Sequence, residues 1–431
     1  MKQRLRTRLD TLRANLFFLP ALAIVLSYLA ARIMAGWQGA AWVGQSSVES
    51  GRAVLSVVAG ATITFVSIAF SVSLLVMQQG SSQFSPRVLP ALIRDPVNRR
   101  VISLVMATFT FSLVTLQRVR GPLEDGGDPT VPQVSVALAV VLGIAAVLAV
   151  VAAIHHTAHM MQISSILERI VHESRHATSL GADTELQADR DEERAEPDGA
   201  SCVVLFRRSG WVRGVDVDRL VDCLPRGSRL LLDTAPGRYA VEGAPLGLLS
   251  PPPADDEQKE VHDRVASAFD IGSTRTVSQD PSLAVRQLVD VALKALSPGI
   301  NDPTTALDAI FHLATVLVDL LTNDQAANRF TADDGTALVL RHPVTDDELA
   351  ELALGELRVA SVSQPAVVIY LFEMVEVVDA AARAAGRGER SRPLIEQARW
   401  LRDHAVAVIT DERDRAGITT SFARRFEPDA A

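Results

Sequence analysis

The sequence is poor in cysteine, lysine, aromatic residues and membrane-buried charge, and each shortage removes a class of function. Its 431 residues include two cysteines, Cys202 and Cys223, with no C-x-x-C spacing, so a disulfide framework is not indicated and reduced thiols are expected. Aromatic residues make up 5% of the chain and the net charge is -9, and no basic stripe interleaved with aromatics follows the apolar N-terminal part, which argues against nucleic acid as a partner. No G-x-S-x-G elbow, phosphate-binding G-x-x-x-x-G-K loop, H-E-x-x-H helix or dinucleotide fingerprint occurs. The chain is therefore expected to hold no cofactor and not to be an enzyme.

Charge is missing in a pattern. Residues 14–31, 53–77, 101–117 and 129–167 contain no Asp, Glu, Lys or Arg. About 20 apolar helical residues cross a hydrocarbon core, so these runs predict four transmembrane helices at Leu16–Ile33, Ala53–Met77, Val101–Gln117 and Val134–Ile154. A cleaved signal peptide is the competing reading of the first, and three further spans argue against it. With no ionisable side chain inside a span, proton relays, voltage sensors and ion-coupled transport lose the groups they generally keep in the bilayer.

Positive charge sets the orientation. Lys2, Arg4, Arg6, Arg8 and Arg13 precede the first span, and Arg87, Arg94, Arg99 and Arg100 lie between the second and third. The other two loops hold fewer basic residues, so the positive-inside bias places both termini in the cytoplasm.

Beyond the fourth span, helical spacing without Pro or Gly continues from Ile154 to Ser179 and predicts one projecting helix, closing a first domain at residues 1–180. Residues 181–200 are acidic and read as a linker. Short β runs punctuated by Gly and Pro over 201–250 predict a small β-barrel-like module. Residues 259–431 read as a helical cytoplasmic domain, with Asp280-Pro281 as an N-cap and first helical residue and Thr345 with Glu348 as a capping box. The fold class expected is thus an α-helical membrane protein carrying a cytoplasmic β module and a helical C-terminal domain.

Several constellations are candidates for function. In span two, Ser56, Gly60, Thr64, Ser67 and Ser71 recur every three or four residues and share one face, which Gln78 continues. Such a stripe serves close helix packing or the polar lining of a pore in an oligomer. At the membrane surface, Gln83, Phe84, Ser85, Pro86 and Arg87 suit an interfacial anchor and contact with acidic lipid. His155 with His159, and His172 with His176, are i, i+4 pairs with the spacing to share a metal, but each lacks a third ligand, so no metal is expected. Finally, the run from Ser297 through Pro298, Gly299, Asn301, Asp302, Pro303 and Thr304 reads as a rigid helix-to-helix corner. Its competing reading is an anion site at the N-terminus of the following helix.

Two resemblances follow from these residues. Pro236–Leu246 is similar to the turn of biotinyl and lipoyl carrier domains. The only lysines, Lys2, Lys259 and Lys294, lie outside it, which argues against a swinging-arm carrier. The motifs Gln78–Arg87 (Q-Q-G-S-S-Q-F-S-P-R), Asp280–Ala306 ending S-P-G-I-N-D-P-T-T-A, and His155-His156 together resemble a bacterial family of predicted membrane proteins of unknown function. That resemblance implies an inner-membrane location and the four-span layout, and it supplies no activity. Taken together, these features lead to a homo-oligomeric, channel-like or transport protein in contact with the lipid bilayer. A membrane-anchored scaffold or signalling module is the alternative, and an enzyme at the membrane surface comes third.

Overall fold

A computed structural model describes residues 18–34, 47–83, 96–120, 131–160, 162–178, 180–182, 184–190 and 199–427. The chain divides into two compact units, residues 1–165 and 166–431.

Among the described residues the first unit is a bundle of four helices, α1 (Phe18–Met34), α2 (Val48–Gln83), α3 (Pro96–Leu116) and α4 (Gln133–Met160). α3 packs against the other three. Phe111, Val114, Leu55 and Ala139 meet in one cluster, and Val101, Val105, Ala146 and Val150 in a second. Small side chains let the backbones approach, so that a Cβ at Gly143 would lie 3.2 Å from Val58. The surface is apolar as well, with Phe70 61% and Leu148 64% exposed. Large apolar side chains on the outside are the inverse of a water-soluble bundle and match a hydrocarbon surround.

Four helices among the described residues are long and apolar enough to cross a membrane: Val48–Val72, Val97–Leu116, Gln133–Thr157 and Pro303–Thr322. Phe18–Met34 is shorter, and the first two residues of its expected span lie outside the described residues. Pro303–Thr322 was expected as a helix of the C-terminal domain, and its side chains explain why apolarity alone is a poor guide. It buries Ile310, Leu313, Val316 and Leu317 on one face while carrying Asp308 and Asp319 on another, and Asp319 accepts a bond from Arg175 at 2.8 Å. A one-sided stripe with charges opposite is the pattern of a core helix.

The second unit begins within α5 (Ile163–Arg175), which buries Ile166, Leu167, Ile170 and Val171. The single projecting helix expected after span four is thus two helices, α4 ending at Met160 and α5 starting at Ile163. The apolar pattern changes there from all-round in α4 to one-sided in α5; no Pro or Gly marks the break.

The β structure is an open arrangement, not a closed barrel among the described residues. Its six-stranded sheet runs in the order β1 (Gln187–Asp189), β8 (Arg329–Thr331), β9 (Ala337–Leu340), β4 (Arg229–Leu232), β6 (Pro245–Ser250), β2 (Cys202–Leu205). A second sheet has the order β5 (Tyr239–Ala240), β3 (Gly210–Val215), β7 (Phe269–Gly272). The strands do not stay within 201–250. β4 pairs in parallel with β9, Leu230 facing Leu338, although β9 lies in the segment expected to be helical. β1 arises within the expected acidic linker, paired antiparallel to β8. Leu230, Leu232, Leu338, Leu340 and Phe330 share one core with α6 (Val217–Cys223) and α7 (Gln258–Ala266). Leu231 and Val339, on the opposite face by alternation, are buried too, which is why these strands read as continuous apolar runs.

Helices α8 (Ser282–Leu296), α9 (Pro303–Thr322), α10 (Asp346–Ala350), α11 (Glu356–Ser361), α12 (Pro365–Ala384), α13 (Arg392–Val408) and α14 (Glu412–Phe426) complete the unit, with a π-helical turn, Glu351–Gly355, between α10 and α11. The Thr345 capping box is present with both of its bonds. Asp280, expected to cap α8, has another role. Its carboxylate is buried and accepts from Arg275 Nε at 3.0 Å, Arg275 Nη2 at 2.6 Å and the Ser282 hydroxyl at 2.5 Å.

Candidate functional site

The span-two stripe faces outward. Ser56, Gly60, Thr64, Ser67, Ser71 and Gln78 are all exposed, and a Cβ placed at Gly60 would meet nothing within 4 Å. The stripe therefore does not pack against α1, α3 or α4. Its hydroxyls bond to their own helix, Thr64 to Gly60 O at 3.2 Å, Ser67 to Ile63 O at 3.3 Å and Ser71 to Ser67 O at 2.9 Å. Bonded this way, each hydroxyl satisfies its donor locally and leaves lone pairs free on an otherwise apolar face.

A second polar stripe lies inside the bundle. Thr108, Ser112 and Thr115 on α3 stand at i, i+4 and i+7 and are at most 1% exposed, as are Thr62 on α2 and Ser135 on α4. Thr108 donates to Leu104 O at 2.8 Å and Thr62 to Ala59 O at 2.8 Å. The hydroxyls of Ser112, Thr115 and Ser135 have no protein partner among the described residues. The spacing of the α3 stripe is visible in T-F-T-F-S-L-V-T, residues 108–115, but a span that is apolar all round does not show which face turns inward.

Of the membrane-surface loop, Phe84, Ser85, Pro86 and Arg87 lie outside the described residues, and Gln83 ends α2. Among the histidines, His172 and His176 are brought together with ring centroids 4.1 Å apart, and Nδ1 of His176 lies 2.8 Å from His172 O. That ring nitrogen is engaged with the backbone of the preceding turn. His155 is exposed on α4, which also contains His159. Among the described residues no three His, Cys, Asp or Glu side chains converge as a metal site would need.

At the corner, α8 ends at Leu296 and the Ser297 hydroxyl donates to Lys294 O at 2.6 Å. Asn301 takes a positive φ of 49°, a conformation that Asn tolerates better than most residues. Asp302 then caps α9, its carboxylate accepting from the Thr305 N–H at 3.1 Å and the Thr305 hydroxyl at 2.6 Å, and Pro303 occupies the first turn. Pro298, Gly299, Asn301, Pro303 and Thr304 are exposed. Because the Asp302 carboxylate already takes the Thr305 N–H, the helix N-terminus offers an anion little.

The Thr305 hydroxyl, then its N–H, hold the Asp302 carboxyl below its ordinary range. A depressed folded-state value means the contribution is present above the unfolded pKa of about 3.9 and fades as pH falls through the folded value. Asp302→Ala is expected to cost about 1 kcal/mol at neutral pH. Measured as the shift in unfolding midpoint, the deficit relative to wild type should shrink in acid; a deficit independent of pH contradicts the cap.

The apolar bundle agrees with the comparisons. A model of a predicted membrane protein family, DUF2254, matches residues 13–377. A protein of Mycobacterium bovis and one of Mycobacterium tuberculosis, both described as uncharacterised, are each 33% identical over 287 residues, covering 63% of this chain and 53% of the relative. The chain thus matches about half the length of these curated relatives. No solved structure matches. With a match running from the first span into α12, the chain belongs to the DUF2254 family of predicted membrane proteins.

Proposed function

We propose that this membrane protein is a homo-oligomeric, channel-like or transport protein of the bacterial inner membrane, without enzymatic activity, whose residues 166–431 regulate it from the cytoplasm. The outward stripe on α2 carries this reading. A polar and small-residue face running from Ser56 to Gln78, unused by the other described helices, is matched when copies bring their α2 helices together around an axis. The lone pairs of Thr64, Ser67 and Ser71 then line that axis. Orientation follows from the arginines before span one and between spans two and three. A scaffold without a permeation path would use the same face only for packing between copies.

Purified protein reconstituted in liposomes tests the proposal, with the oligomeric state measured in detergent. Flux is expected from an oligomer, and Ser67→Leu should reduce it at least about tenfold by narrowing and drying the lining while the oligomer persists. A monomeric wild type, or an oligomer silent at every voltage, overturns the channel. Loss of the oligomer in Ser67→Leu assigns the stripe to packing between copies instead.

A further inference from the structure

Both cysteines are half-buried against the same core, and they differ in their neighbours. Cys202 opens β2, the end strand of the six-stranded sheet, and is half-buried. Its Sγ lies 3.6 Å from Nε2 of His262 on α7, within hydrogen-bond reach for the larger sulfur atom. Arg207 and Asp263 stand beside this pair and bond each other at 2.8 Å. Burial, then the positive charge of Arg207, keeps the His262 imidazole below its ordinary pKa, against a smaller opposing effect of Asp263. Both effects favour the neutral ring, which leaves a ring nitrogen able to accept the Cys202 S–H and makes it a weaker base than a free imidazole, so the pair rests on its geometry. Cys223, at the end of α6, has its thiol pushed up by burial, only partly offset by Arg264 and Arg219. A thiol held protonated is a poor nucleophile.

We propose that Cys202 is a modification site, at which the Cys202–His262 pair undergoes thiol–disulfide exchange with low-molecular-weight disulfides. In this step the Cys202 S–H proton passes to Nε2 of His262, and the thiolate attacks one sulfur of the disulfide. A new S–S bond forms to Cys202 as the original one breaks. The departing thiolate carries away the bonding pair and takes up the proton from His262. Cys202 is oxidised to a mixed disulfide as half of the reagent is reduced to thiol, so electrons balance without a further reactant. The second thiol, Cys223, is not the site.

The probe is the aromatic disulfide dithiobis-nitrobenzoate, added to the full-length protein in detergent. Release of the coloured thiol is followed in time, and the modified cysteine is located by mass spectrometry after a short exposure. Wild type should show a single fast equivalent mapping to Cys202, at least about tenfold ahead of Cys223. Cys223→Ser should keep the fast phase, and His262→Gln should slow it about tenfold while leaving the Cys223 rate alone. The partition between the two cysteines in wild type needs no variant, so a poorly folded substitution does not shield the idea. Cys223 reacting first, both reacting equally, or a fast phase untouched in a folded His262→Gln protein overturns the assignment.

Discussion

Replacing Arg390 with alanine is expected to destabilise residues 166–431 by about 2–4 kcal/mol, since it removes several charge-assisted bonds from a pair that is only partly buried. The side chain is 16% exposed, and Asp346, its partner, 18%. Its Nε and Nη2 grip Asp346 at the start of α10, the shortest bond being 2.8 Å. Its Nη1 donates to the carbonyls of Leu320, Leu321 and Asn323, at 3.1, 3.2 and 2.8 Å. Those carbonyls belong to the end of α9, where a helix leaves acceptors unsatisfied and its dipole favours a cation. One guanidinium therefore ties the end of α9 to the start of α10. Arg387 donates to the neighbouring Thr322 carbonyl and to Asp324, so the end of α9 is not wholly released when Arg390 is lost. Arg390→Lys should recover only part of the stability, because an ammonium has no planar fork for Asp346 and the carbonyls together. The unfolding midpoint gives the size of the effect, and hydrogen exchange gives its place. Faster exchange confined to the last turn of α9 and to α10 is the expected signature, and unchanged exchange there refutes the account.

The parts of this molecule legible in its sequence are those set by neighbours in the chain. An uncharged run long enough to cross a bilayer needs only length and composition, and all four expected spans fall on helices. The Asp302 cap and the Thr345–Glu348 box depend on groups three residues apart, and both form. What failed depends on distant partners. β9 has four buried apolar residues, Ala337 to Leu340, too few to separate strand from helix by periodicity; it becomes a strand by pairing with β4, more than 100 residues earlier. β1, Gln187–Asp189, is exposed throughout and is held by backbone bonds to β8, so no side-chain pattern announces it. The polar stripes show a third kind of limit. The same three- and four-residue spacing marks both α2 and α3, but only packing turns the α2 stripe outward and the α3 stripe inward.

Asp280 shows how a correct residue type was given the wrong partner, and it carries the second large effect. Asp before Pro suits a helix cap, but the carboxylate instead holds Arg275, whose guanidinium lies 5.4 Å from the Trp211 ring, which in turn meets Tyr239 edge-on at 5.2 Å. The cluster joins the start of α8 to β3 and β5. Asp280→Ala is expected to cost about 2–3 kcal/mol by removing the charge-assisted bonds to Arg275, which at 25% exposed stays partly solvated. Gly237 makes the geometry testable a second way. It has φ of +87°, and a Cβ there would run into the Asp280 carboxylate. Gly237→Ala should therefore combine a backbone penalty of about 1 kcal/mol with a steric clash. In the double variant the clash partner is gone and only the backbone penalty remains beside the Asp280 loss. A double-mutant cycle on unfolding midpoints should thus show the pair costing less than the sum of the singles by at least about 1 kcal/mol. Strict additivity would mean that the carboxylate does not stand over Gly237.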